Sequence, residues 1–326
     1  MTTTSSYLAS LESTVEQELR SPVAPEIEWL AGEIAANHGE TVLGVLFYGS
    51  CLRNDTIDGV LDFWVVVDDY REAYAKGWLA RINQIAPPNV FYIEREHQGQ
   101  TLRSKYGVIS RQGFEKGTSF AAWHPYIWAR FAQPARALAC RDDAARQVLV
   151  AVVANAILTM VGRLVCVLPA RGGELRFSLA AFWQEAFRRT YDSERRPEAE
   201  EVIRGHYAMD EERYNTVATF ALHQLASDGR FAEATAQARS FRVTMSEGAR
   251  RRSQLRWRLM RPYARFLGLV RLAKTAITFG DWVPYVLWKL ERHTGRRLEL
   301  SERQRKHPLI FAWPIILPLL LRRNLR

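Results

Sequence analysis

Cysteine is scarce in this chain: Cys51, Cys140 and Cys166 are the only three in 326 residues, odd in number and with no CxxC pair. That excludes a disulfide framework and a thiolate zinc site, and it points to a reducing compartment. His97, His124 and His307 stand at no metal-ligand spacing and read as surface or core histidines. Internal repeats and low-complexity segments are missing. The opening MTTTSSYLASLESTVEQELR lacks a basic stretch followed by an apolar core and carries three glutamates. It is therefore expected to be neither a secretory signal nor a transit peptide. Leu8, Leu11, Val15 and Leu19 make it an amphipathic first helix instead. Acid is absent from Arg250 to Lys274, where nine Lys or Arg residues fall.

What is present is an ordinary globular composition, 48% hydrophobic and 25% charged, long enough to bury a substantial core. The formal net charge of +10 asks for an acidic partner: nucleic acid, nucleotide or anionic membrane. Much of that charge lies in RRRSQLRWRLMRPYARFLGLVRLAK, where Trp257, Leu259, Met260, Phe266, Leu267 and Leu269 interleave with the arginines. One-sided charge mixed with aromatics favours a surface that meets phosphates, of lipid or of RNA. Further on, residues 308–321 are uncharged and apolar between basic flanks. This run falls short of the ~20 residues a spanning helix needs, and Pro308, Pro314 and Pro318 interrupt it. An interfacial segment is expected there.

The pattern of apolar residues predicts an α+β chain. A helix over Pro25–His38 leads to a strand at Val42–Tyr48, a second strand at Val60–Val67 and a helix near 71–85. Strands at Val90–Arg95 and Tyr106–Ser110 follow, joined through the polar EHQGQ turn. From about Trp123 the sequence reads as helical, with RQVLVAVVANAILTMVGRLVCVL and SLAAFWQEAFRRTY as long helices. The expected division is a mixed-sheet catalytic domain at 1–120, a helical domain at 121–245 and a basic, apolar membrane-associating region at 246–326.

Chemistry concentrates in VLFYGSCLRNDTIDGVLDFWVVVDDY, residues 45–70. Gly49-Ser50 ends one strand and opens a helix, which presents backbone N–H groups and a hydroxyl suited to triphosphate oxygens. Asp62 lies inside the next apolar strand, where an uncompensated carboxylate costs several kcal/mol. A magnesium ion held against phosphates is a natural compensation. Asp68 and Asp69 end that strand and read as loop or capping acids.

This layout resembles the polymerase-beta-type nucleotidyltransferases, which follow GS with Asp-x-Asp on the neighbouring strand. Here the second acid is replaced by Trp64. A lone Asp followed by Phe, together with KYGVIS at Lys105–Ser110, is similar to the mitochondrial-type phosphatidate cytidylyltransferases. YDSERR (with Tyr191, Glu194 and Arg196) and RLAKTAITFGDWVPYVLWKL resemble later segments of that family.

The resemblance implies a nucleotidyltransferase-type fold and the transfer of CMP from CTP to phosphatidic acid, giving CDP-diacylglycerol and pyrophosphate. It implies that Gly49, Ser50 and Lys105 bind the nucleotide, that Asp62 and Glu194 hold Mg²⁺, and that Lys105 and Arg196 neutralise charge. Glu94, on the aromatic strand, is the rival second acid. The partners implied are CTP, phosphatidic acid and an anionic membrane surface, with no nucleic acid. A peripheral place follows, on the cytoplasmic face of a bacterial inner membrane or the matrix side of a mitochondrial one. An RNA-directed nucleotidyltransferase and a non-catalytic membrane adaptor of the same fold stay open beside it.

Overall fold

The computed structural model describes residues 4–169, 174–194, 198–237 and 240–278. Its order begins with α1 (Thr4–Leu19), α2 (Pro25–Ala36), β1 (Val42–Tyr48), α3 (Ser50–Arg53) and β2 (Val60–Val67). α4 (Tyr70–Ala73), α5 (Gly77–Ile85), β3 (Asn89–His97), β4 (Gln100–Ser110), α6 (Arg111–Thr118) and α7 (Trp128–Phe131) follow. The chain continues through β5 (Ala135–Leu138), α8 (Asp143–Val165), β6 (Glu174–Ser178), α9 (Leu179–Ser193), α10 (Glu200–Met209) and α11 (Glu211–Ser227). The described elements end with β7 (Glu233–Gln237), β8 (Ser240–Thr244) and α12 (Glu247–Thr278).

Five strands form a mixed sheet in the order β3-β4-β2-β1-β5, in which β2 and β4 run parallel and the other neighbours antiparallel. The α+β class expected from the sequence is what the chain adopts. Alternation along β2 sorts its side chains. Phe63, Val65 and Val67 join a core with Ile27, Leu30 and Ile34 of α2. Trp64 and Val66 face the other way, into the core built with α1, α6, α7 and α8. Asp62 shares that second face, at the end of the row.

α8 is apolar enough over its length to cross a membrane, yet 78% of its most apolar window is buried inside the fold. α1, α7 and α11 pack along it, so its hydrophobicity is that of a central core helix.

Several expectations differ from the structure. The helix near 71–85 is two pieces: Asp69 caps α4 by accepting from the Arg71 backbone N–H at 2.7 Å, and the chain re-enters a helix only at Gly77. The hairpin strands are longer than the apolar pattern indicated. The Gln98-Gly99 turn has φ of 49° and 79°, and a two-residue turn of that hand keeps its polar flanks paired. The division at 120/121 is not where the chain divides. β5 returns to pair with β1, and β6-β8-β7 form a second sheet within the stretch expected to be helical. The described residues up to Thr275 hold together as one unit, across the expected boundary at 120/121. Arg196 and the apolar tail at 308–321 lie outside the described residues, as does 279–290 of the late resembling segment.

Candidate active site

Three adjacent strands bring the site together by register. Tyr48 on β1 pairs with Asp62 on β2, and Asp62 pairs with Lys105 on β4, so the three side chains form one row across the sheet. Lys105 Nζ stands 2.9 Å from Asp62 Oδ1. The carboxylate is largely buried, with 16% of its side chain exposed against 40% for the lysine. The ammonium therefore answers the question posed by an acid in an apolar strand.

Immediately after Tyr48 the backbone turns through Gly49, at φ 96° and ψ −159°, a conformation that favours glycine. The turn passes so close to Asp62 that a Cβ on Gly49 would lie 2.9 Å from Oδ2. Ser50 follows, exposed at the start of α3. The bend and the acid are thus in close approach, and Ser50 lines the same cavity.

Trp64 occupies the place of the missing second acid. It is 2% exposed, meets Phe131 edge-on at 5.2 Å and donates its Nε1–H to Tyr48 Oη at 3.2 Å. Burial, and then the nearby Asp62 charge, push the Tyr48 hydroxyl up to about 12, so it stays protonated. Gly107, opposite Trp64 in the register, leaves room for it: a Cβ there would meet Pro88 at 3.1 Å and the indole at 3.5 Å.

These residues line one side of a cavity of about 430 Å³. The far wall comes from α7, α9 and α10. Glu194, at the C-terminal end of α9, receives both guanidinium branches of Arg130 at 2.8 Å, and each side chain is only 14% exposed. Arg130 also lies 3.8 Å over the Tyr126 ring. Burial works against its charge, but Glu194 and the ring hydroxyls hold its proton more firmly than usual. His206 of α10 meets Tyr191 Oη through Nδ1 at 3.2 Å. Burial, and then Arg53, lower its pKa to about 4, so it faces the cavity uncharged.

The structure therefore gathers Gly49, Ser50, Asp62, Lys105 and Glu194 around one cavity. Glu94 is not among its lining residues. It accepts from Tyr92 Oη at 2.5 Å and lies 3.3 Å from Arg103 Nε on the neighbouring strand. Arg130, Arg53, Tyr126 and His206 were not singled out from the sequence. Arg130 and Glu194 are 64 positions apart, and no local pattern announces their pairing.

A divalent cation fits this donor set through one carboxylate. Magnesium takes one or two carboxylates and otherwise phosphate oxygens and water. Asp62 would be the carboxylate that holds such an ion, which would offset charge on bound nucleotide phosphates. For Glu194 to join Asp62 as a ligand, it would have to give up Arg130, which engages both its oxygens. Among the described residues no group of three or more His, Cys, Asp or Glu side chains is placed to hold a metal. Glu194, expected as the second ligand, is held here by an arginine clamp.

The charges of α12 also fall otherwise than expected. Arg271 and Lys274 are 7% and 8% exposed and donate to the backbone carbonyls of Pro87 and Ala86. Arg261 and Arg265 hold Asp192, and Arg256 holds the carbonyls of residues 120–122. Leu255, Leu259, Tyr263, Phe266, Leu269 and Leu272 are the exposed large apolar side chains of α12, and Arg251, Arg252 and Arg258 are exposed among them. The spacing of the apolar ones, three or four residues, makes one apolar stripe.

No family model matches the chain, and no curated protein matches it. Among solved structures it is similar to a nucleotidyltransferase-like protein from Exiguobacterium sibiricum, at 12% identity over 91% of this chain and 92% of that one, with a TM-score of 0.26.

Proposed function

We propose that the chain is a nucleotidyltransferase whose nucleotide site is the Gly49–Asp62–Lys105 corner, and that its substrates are CTP and phosphatidic acid. The observation that carries the reading is the close approach of the glycine bend to Asp62, with Lys105 closing the row. The bend and Ser50 offer backbone and hydroxyl donors to the β- and γ-phosphates, and Lys105 supplies a compact positive charge beside them. A magnesium ion shared by Asp62 and the phosphates would neutralise charge on the triphosphate.

The nucleophile in this reading is a phosphate oxygen of phosphatidic acid. It is already anionic, so the uncharged His206 and the protonated Tyr48 are not needed as bases. The oxygen forms a bond to the α-phosphorus as the bond to the β-phosphate bridging oxygen breaks, and pyrophosphate leaves with that electron pair. CDP-diacylglycerol is the other product. The chain's contribution is to align the two phosphates and offset their charge in a walled cavity. The apolar stripe of α12 supports a lipid acceptor: an amphipathic helix with basic neighbours suits an anionic bilayer surface.

Incubation of purified protein with magnesium, radiolabelled CTP and phosphatidic acid vesicles tests this directly. Labelled CDP-diacylglycerol is expected, dependent on Asp62 and on CTP over the other triphosphates. Label transferred to RNA but not to lipid would overturn the substrate assignment. A second reading, a nucleotide-binding protein without transfer activity, is favoured by one observation: among the described residues, two of the three acids lining the cavity already hold cations, Asp62 with Lys105 and Glu194 with Arg130. Tight CTP binding with no product on any acceptor is its expected signature.

A further inference from the structure

On the helical side of the molecule, α8, α12 and the turn after α11 enclose a second cavity of about 310 Å³ that shares no lining residue with the first. Arg163, Arg230, Arg252 and Arg256 line it, and among the described residues no Asp or Glu does. Phe120 and Trp257 supply its aromatic wall. Four guanidiniums around one hollow repel one another, and the exposed Arg230 and Arg252 add to the cost of keeping the part-buried Arg163 and Arg256 charged.

Three of the four arginines are held in place by neutral groups. Arg163 donates to the carbonyls of Phe120 and Ala122, and Arg256 to those of Phe120, Ala121 and Ala122. The Arg230 guanidinium lies 3.6 Å over the Phe120 ring. None of these contacts neutralises a charge. Arg163 Nε and Arg256 Nε are buried with no hydrogen-bond partner. Burial, and then Arg256 and Arg230, lower the Arg163 pKa to about 10, a sign of how strongly the site resists its own charge. An anion entering the hollow would meet convergent donors and relieve that repulsion.

We propose that this cavity is an anion site for a phosphate group, separate from the nucleotide corner. Guanidinium forks match the planar spread of phosphate oxygens, and the cavity accommodates a phosphomonoester with a small substituent. The group can arrive on a soluble molecule or as a lipid headgroup. Leu255 and Leu259, exposed next to Arg252 and Arg256 on α12, are placed to meet the apolar part of a lipid.

Calorimetric titration with sodium phosphate at low ionic strength, and flotation with phosphatidylcholine vesicles with or without phosphatidic acid, test it. The double variant Arg230→Ala/Arg252→Ala changes two exposed side chains, and circular dichroism checks that it folds as the wild type does. The wild type is expected to bind phosphate, and the double variant to lose that event by at least about tenfold, two bidentate partners each being worth a kcal/mol or more. A matching loss of phosphatidic-acid-dependent flotation identifies a lipid headgroup as the source. Loss of phosphate binding with flotation unchanged identifies a soluble phosphate. Phosphate binding and flotation that are both identical in wild type and double variant overturn the proposal. So does a phosphate event that Lys105→Ala removes and the double variant keeps, since it belongs to the nucleotide corner.

Discussion

Asp62 and Lys105 stand opposite each other in the parallel pairing of β2 with β4, and their side chains close to 2.9 Å. The same acid closely approaches the Gly49 bend, so one carboxylate joins the sheet to the turn that would carry the phosphates. Lys105 is partly exposed, and a pair of this kind is worth about 1 kcal/mol or less to folding. Asp62→Asn is therefore expected to leave the urea denaturation midpoint nearly unchanged. Product formation from CTP should fall by about 100-fold or more, as when one preorganised electrostatic partner is removed from a site. A variant that folds and keeps its activity would remove Asp62 from the chemistry.

The bend itself makes the second prediction. Gly49 combines a left-handed φ with a Cβ position 2.9 Å from a carboxylate oxygen, so Gly49→Ala is strained twice. A loss of about 1–3 kcal/mol in stability is expected, together with weakened nucleotide binding. Gly205 is the control. It sits inside α10 with no atom within 4 Å of its would-be Cβ, and Gly205→Ala should stabilise by about 0.5–1 kcal/mol. Thermal melts of the two variants should move in opposite directions.

The Arg130–Glu194 clamp is the third. It is nearly buried and doubly hydrogen-bonded, and deleting one member of such a pair costs about 3–5 kcal/mol because the other is left charged and alone. Glu194→Ala should therefore lower stability with or without magnesium, and Arg130→Ala should do the same. A Glu194→Ala variant that melts like the wild type, yet loses magnesium-dependent nucleotide binding, would restore Glu194 as a metal ligand.

The parts of this site that the sequence discloses are those set by local rules. β1 and β2 fall at Val42–Tyr48 and Val60–Val67 as the apolar runs indicate, and Gly49-Ser50 marks the turn between the first strand and α3. Asp62 stands out because a carboxylate in such a run demands a partner. That partner, Lys105, is fixed by a parallel register between strands more than thirty positions apart, and the sequence suggested a metal ion in its place. Arg130 was invisible for the same reason: its meaning depends on where α9 ends. α12 shows the converse failure. Its basic residues looked like a solvent-facing phosphate surface, but long side chains can turn back to carbonyls, as Arg256, Arg271 and Lys274 do. Composition counts charges without saying which way they point.

Acid should weaken the fold through two histidines near the cavity. Burial, and then Arg53, hold His206 at about 4, and burial, and then Arg271 and Arg130, hold His124 at about 3. Arg271 Nη2 lies 3.2 Å from His124 Nε2, a contact that a protonated ring cannot accept. Both folded values lie below the 6.5 of an unfolded histidine, so between them the unfolded chain binds more protons than the folded one. The stability contributed by keeping these rings neutral is complete above about 6.5 and is lost as pH falls through the range toward 4 and 3. Urea denaturation at steps from pH 7.5 to 4.5 should show that decline, and His206→Gln should make it shallower while leaving the neutral-pH stability close to that of the wild type. Identical slopes for variant and wild type would mean that His206 already carries its proton in the folded cavity, and the cavity would then present one more positive charge to its ligand.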